Sequence, residues 1–375
     1  MCSEGNMVLG IICGITLNIS FGSINIAEII FILYSIAYLI KKKKIKIDKN
    51  FNTYIIFSLI FIMYTFCYYK LEIVSNENIM KNAIKYTEML IITFLAYEQC
   101  IYDVDKFLKF FEVFLLTDFV FSYLGHTYKS FSYFIHYSFF ILLMCILLVI
   151  YDKNKKVKTL LYIIAFILSI VGHSRSSLII LLITILYEMY QYILSNKREK
   201  SRQLKKVLVI TMLLISALIG LNYFTENLAI KSASNTERTL LLNTTIEEIK
   251  ENFIFGVGPG NFNYYAQNVI GVKLASTELT AHNHFLEIFA EWGILGFIIY
   301  MYPLIGFIIK LIKKEKVSLR YKKLYIFYFV FLFFNVLSGD ARIKFAIILA
   351  IMFYDKYING GNDFIEKRNS NIKLQ

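Results

Sequence analysis

Apolar residues run along this chain in blocks of about 14–24, each closed by a short break carrying charge, Asn or Ser. The blocks lie near 7–20, 24–40, 51–69, 83–101, 107–124, 132–151, 159–172, 177–194, 207–221, 286–309, 324–338 and 343–357. With tilt or local thinning, such lengths suit a hydrocarbon core about 30 Å thick. The runs lack the period-two alternation of a barrel strand, which excludes a transmembrane β-barrel. The predicted class is all-α: a polytopic transmembrane bundle of about twelve spans.

One polar segment breaks the rhythm. Residues 222–285 form a long loop, with domain divisions at 1–221, 222–285 and 286–375. Inside it, "SNTERTLLLNTTIEEIKENF" predicts an amphipathic helix opened by Ser234 or Asn235. Leu242, Ile246, Ile249 and Phe253 recur at helical spacing, opposite Asn243, Glu247, Lys250 and Glu251. This helix is expected on the membrane face or against the bundle. It stops at "FGVGPGNF", where Gly256, Gly258, Pro259 and Gly260 dictate a turn.

Charge sets the orientation. With both termini cytoplasmic, the inside segments carry 28 Lys/Arg and the outside segments 11. That bias places residues 222–285 on the extracytoplasmic side. It also accounts for the net charge of +13 without nucleic acid, because the basic residues sit between spans. Composition agrees with the membrane class: 57% of the 375 residues are hydrophobic, above the roughly 45–50% of soluble domains. Cys2, Cys13, Cys67, Cys100 and Cys145 show no Cys-x-x-Cys spacing and read as apolar fillers. The first apolar run lacks a basic flank and a cleavage site, so it is expected to be a retained helix.

Candidate chemistry gathers on the extracytoplasmic side. "GHSRSS" puts His173 and Arg175 in a short turn, Arg238 falls in the first turn of the amphipathic helix, and Arg342 lies in "SGDARIK". A guanidinium there suits a diphosphate, whose oxygens its planar fork can bind in pairs. The same residues would equally serve lipid phosphates or topology. "AHNHFLEIFAEWGILGF" holds His282, Asn283 and His284 at the start of a span. A histidine at a helix N-terminus is kept neutral and can act as a base. Glu287 and Glu291 follow on one face, as candidate functional acids or as groups facing water. His282 and His284 could begin a metal site with His173 or Glu287, but no third ligand has diagnostic spacing, and no metal is expected. "GVGPG" is neither a phosphate-binding Walker loop nor a dinucleotide fingerprint. Gly293 and Gly296 are expected to admit a neighbouring helix.

Four stretches in this order resemble the O-antigen ligase and polymerase superfamily of bacterial membrane glycosyltransferases: "GHSRSSLIILLI", "ERTLLLNTTIEEIKENFIFGVGPGNF", "AHNHFLE" and "EWGILGF". They cover about residues 172–300. The resemblance implies transfer of glycan from a polyprenyl-diphosphate carrier to an acceptor at the outer face of the cytoplasmic membrane. It implies no nucleotide sugar and no cofactor. It assigns Arg175 and Arg238 to the donor diphosphate and His282 to the acceptor hydroxyl. His284 falls on a variable position of the motif and inherits no role; with Asn283, Glu287 and Arg342 it is a candidate supporting residue. "ENFIFGVG" lacks the proline often found after the Asn.

A polysaccharide polymerase, for capsule, O-antigen or exopolysaccharide, is the expected activity. An O-antigen ligase acting on a lipid A core or another terminal acceptor is the alternative. Lipid-linked oligosaccharides and membrane lipids are the expected partners, with a flippase and a chain-length regulator as further candidates. A lipid-linked oligosaccharide flippase is the competing class. Against it, no internal repeat is visible and Pro303 is the one proline within a predicted span.

Overall fold

The computed structural model describes residues 2–17, 20–21, 24–42, 48–70, 75–126, 155–171, 175–195, 229–268, 281, 283–312, 319–334 and 341–372. The spans expected at 132–151 and 207–221 lie outside them, as do His173, His282 and residues 269–280.

The described residues are helical apart from turns and one small antiparallel pairing. In that pairing β1 (Ser20–Phe21) meets β2 (Ile24–Asn25), with Ser20 opposite Asn25. The helices are α1 (Cys2–Thr16), α2 (Ile26–Lys42), α3 (Lys49–Cys67), α4 (Asn76–His126), α5 (Lys155–Val171), α6 (Arg175–Ser195), α7 (Ala229–Glu251), α8 (Phe262–Asn268), α9 (His284–Ile312), α10 (Leu319–Phe334) and α11 (Ala341–Ile372). Helix α3 and the stretch His284–Ile309 are long and apolar enough to cross a membrane. Shorter apolar helices cover Met7–Thr16 and Leu324–Phe333. Described residues so largely helical, with these apolar elements, fit a helical membrane protein.

Helix α4 is two helices folded at one residue. Asp103 leaves the helical conformation, with φ −163° and ψ 86°. In a straight helix Glu88 and Asp118 would lie about 45 Å apart. Instead Glu88 pairs with Arg342 at 3.3 Å and Asp118 with Lys344 at 2.7 Å, and these cations are two residues apart on α11. The arms of α4 therefore turn back on each other, one holding the apolar block 83–101 and the other the block 107–124. The connecting segment expected at 102–106 shrinks to Asp103. Its carboxylate accepts the Lys106 N–H at 3.2 Å and starts the second arm as an N-cap does.

Packing follows from small and aromatic residues. A Cβ on Gly10 would lie 2.8 Å from the Phe110 carbonyl, and one on Gly14 would lie 2.6 Å from Thr117 Cβ. Two glycines four apart thus bring α1 into backbone contact with the second arm of α4. Helix α11 is buried on every side from Ile343 to Phe353, as befits a helix apolar all round. Its Lys344 is fully buried against Asp118, an arrangement in which removing one partner would strand a charge. At the opposite end, Asp48 caps α3 through the N–H groups of Asn50 and Phe51 and accepts the Tyr97 hydroxyl at 3.1 Å.

Candidate functional site

Helix α9 also folds back, and this fold builds the site. Gly293 interrupts it with φ +66° and ψ −172°. In an unbroken helix residues 284 and 300 would be about 24 Å apart. Yet His284 Nε2 lies 3.1 Å from the Tyr300 hydroxyl, and the two rings meet edge-on at 5.6 Å. The first arm, 284–292, therefore lies back along the second, 294–312. The span expected at 286–309 is corrected accordingly. The second arm, about 28 Å long at 1.5 Å per residue, has the length to cross. His284 is not at the mouth of a crossing helix. It is buried beside Tyr300, about two turns along the second arm from the corner.

The glycine turn of the long loop is what caps this corner. A helix broken at one residue leaves carbonyls and N–H groups without helical partners. Here Val257 N–H donates to Ala290 O at 2.8 Å, Gly258 N–H to Glu291 O at 2.9 Å, and Ile294 N–H to Phe253 O at 2.9 Å. The approach is too close for side chains. A Cβ on Gly293 would lie 2.2 Å from Ile254 O, and one on Gly256 would lie 2.5 Å from Ala290 O. Both residues, with Gly258 and Gly260, have positive φ. Gly293 thus admits loop backbone rather than the neighbouring helix expected from sequence, whereas Gly296 does face α3, at Tyr64. Helix α3 and the residue that follows it pin the same corner. Trp292 Nε1–H donates to Thr65 at 3.0 Å, Tyr64 O–H to Trp292 O at 3.3 Å, and Tyr68 O–H to Phe255 O.

The first arm carries the polar groups. Asn283 is its N-cap: Oδ1 accepts the Leu286 N–H at 3.0 Å, and the carbonyl accepts the Glu287 N–H at 2.9 Å. Glu291 is buried, with Oε1 accepting the Phe262 N–H at 3.4 Å. Lys85 of α4 lies within electrostatic reach of Glu287, Glu291 and Arg342. Arg342 pairs with Glu88, one turn along α4 from Lys85. Asn78, two turns before Lys85, ties Gly260 O to α4 at 3.1 Å. Among the described residues, buried His284 Nδ1 and Glu287 Oε2 have no hydrogen-bond partner. Two cations, several carboxylates and an imidazole thus gather in the buried interior, beside the ring cluster of Tyr86, Trp292 and Tyr300. Such a set can bind an anionic group and handle protons beside it.

The structure brings some expected site residues together and separates others. Asn283, His284, Glu287 and the turn Gly256–Gly260 converge. Arg342, expected in a surface turn, is buried in the first turn of α11. Helix α7 begins at Ala229, so Ser234 and Asn235 are interior residues rather than caps. Arg238 accordingly sits in the third turn, exposed. Polar residues continue a helix at modest cost, which is why the expected start fell short. Arg175 is the first residue of α6. His282 lies outside the described residues, between buried Ala281 and buried Asn283.

The packed face of α7 also differs from expectation. Leu241, Thr244, Thr245 and Glu248 are buried, while Leu242, Ile246 and Phe253 are exposed. Burial pushes the Glu248 carboxyl up to about 8, with Glu291 and Glu251 adding to the shift. Lys85, Glu88, Glu248 and Tyr300 were missed by sequence reasoning. Yet Lys85 and Glu88, three apart at the start of the apolar block 83–101, are the ionisable pattern that marks a membrane site.

These features fit a helical membrane protein in which a loop and a folded helix meet beside a buried polar cluster. Residues 160–301 match the family model described as O-antigen ligase. The match bears out the resemblance to the O-antigen ligase and polymerase superfamily, a membrane-integral group of glycosyltransferase-like enzymes acting on lipid-linked oligosaccharides. No curated protein matches the chain.

Proposed function

We propose that this protein is a polysaccharide polymerase of the cytoplasmic membrane, crossing it about twelve times with both termini inside. It transfers glycan from a polyprenyl-diphosphate-linked donor onto the next lipid-linked repeat unit at the outer face. The observation that carries the reading is convergence. The Gly256–Gly260 turn and the Asn283–Glu291 arm, separate motifs within the matched region, meet at one corner beside one buried polar cluster.

In this reading the acceptor hydroxyl oxygen attacks the anomeric carbon of the donor as the bond to the diphosphate oxygen breaks. The hydroxyl proton passes to His282, and polyprenyl diphosphate departs. Arg175 and Arg238 offset the charge on the leaving group, and no metal is needed where fixed cations do so. Asn283 holds the start of the arm, and His284 anchors it on Tyr300.

The test is a glycan gel, with analysis of lipid-linked intermediates, from cells lacking the protein and cells carrying His282→Ala. A polymerase predicts single repeat units and no ladder in both. Long chains stranded on the carrier would make it a ligase. Lipid-linked units held at the inner face would make it a flippase.

A further inference from the structure

Helix α7 has three faces rather than two. Leu241, Thr244, Thr245 and Glu248 pack on the protein. Asn243, Glu247 and Lys250 are polar and exposed. Leu242 and Ile246 form a separate apolar stripe roughly a third of a turn from the packed face; past the end of the helix it continues at Phe253, and all three are exposed. The stripe runs on into Ile254 and Phe255, so that Phe253, Ile254 and Phe255 are 51%, 54% and 52% exposed in a row. A helix bounded by protein, by water and by bare apolar side chains has the pattern of an element lying at a membrane surface.

Its level in the fold agrees. Phe255 O accepts the Tyr68 hydroxyl just beyond the end of α3, and Ile254 abuts Gly293, where the crossing arm of α9 begins. The exposed tripeptide therefore stands level with the ends of two apolar helices. Phe253 also packs edge-on against Phe289 at 5.5 Å, and Phe289 stacks on Phe297 at 5.3 Å. That aromatic run leads to Leu295 and Ile298, exposed on the crossing arm.

We propose that the long loop is embedded in the bilayer leaflet on its own side, through Leu242, Ile246, Phe253, Ile254 and Phe255, with phospholipid acyl chains as the partner. The proposal rests on reading α3 and the second arm of α9 as crossing helices. It places the cap of the Gly293 corner within the leaflet that would hold a lipid-tethered substrate.

The test uses the full chain in nanodiscs made with phosphatidylcholine brominated on its acyl chains. Buried Trp292 is the chain's one tryptophan and supplies a fixed background. Ile254→Trp is the probe, and Phe253→Trp is a conservative second probe should the first misfold. Ile298→Trp marks the crossing arm and Glu247→Trp the water face. The proposal predicts that the added emission of Ile254→Trp or Phe253→Trp is quenched as far as that of Ile298→Trp, with Glu247→Trp unquenched. Quenching at 298 but not at 253 or 254 overturns the embedding and leaves the crossing intact. No quenching at 298 overturns the crossing and the embedding with it.

Discussion

At Asp103 and at Gly293 a long helix turns back on itself within a single residue, yet the two corners are made differently. Asp103 has extended backbone, which any residue adopts, and its own carboxylate starts the next arm. Gly293 has φ +66° and has loop backbone pressed into the space where a side chain would stand. The first corner is self-contained. The second exists only because the Phe253–Gly258 backbone takes over its broken hydrogen bonds. A corner assembled from two distant segments ties the long loop to the arm carrying Asn283, His284, Glu287 and Glu291. The fold is committed to a site at the second corner and not at the first.

The largest effect should come from Gly293→Ala. The strained φ and the clash with Ile254 O should together cost roughly 3–5 kcal/mol. Loss of glycan product and new protease cleavage between α7 and α8 are expected, in protein that still inserts. Tyr300→Phe should rank second. It keeps the ring against Phe61 but strands His284 Nε2, at about 1–3 kcal/mol in thermal melts and with reduced transfer.

Glu248→Gln probes the loop side of the second corner through pH. Folded Glu248 holds its proton up to about pH 8, against a reference near 4.5. Its contribution to stability is therefore full below pH 4.5 and is lost as pH rises through 8. The variant should melt with the wild type at pH 5 and above it at pH 9, by a few kcal/mol at most. The opposite ordering at pH 9 would contradict the buried, proton-holding carboxyl. Asp103→Ala should be mildest, at about 1 kcal/mol for a lost cap. Its exposed pairing with Lys106 adds little. Comparable losses from Asp103→Ala and Gly293→Ala would break the contrast.

The sequence shows the helices plainly, because apolar blocks of crossing length announce themselves. It shows less of how they fold. "YDVDK" reads as a loop, but one carboxylate suffices to turn the chain there. Gly293 reads as a helix contact, since nothing local reveals that Ile254, 39 residues earlier, fills the space beside it. The periodic stripe Leu242–Ile246–Phe253 is legible as an apolar face, but not which apolar medium it meets. Arg342 is legible as a charge, and its partner Glu88 lies 254 residues away. The chemistry-bearing motif could be found by pattern, whereas its burial beside Tyr300 depends on a corner visible only in three dimensions.

The most direct measurement puts purified protein in nanodiscs with a polyprenyl-diphosphate-linked repeat unit and quantifies free polyprenyl diphosphate alongside lengthened lipid-linked glycan. The account predicts that both appear together with wild type and with Asp103→Ala, and that neither appears with His282→Ala. Equal release by His282→Ala, or none by the wild type, would contradict it.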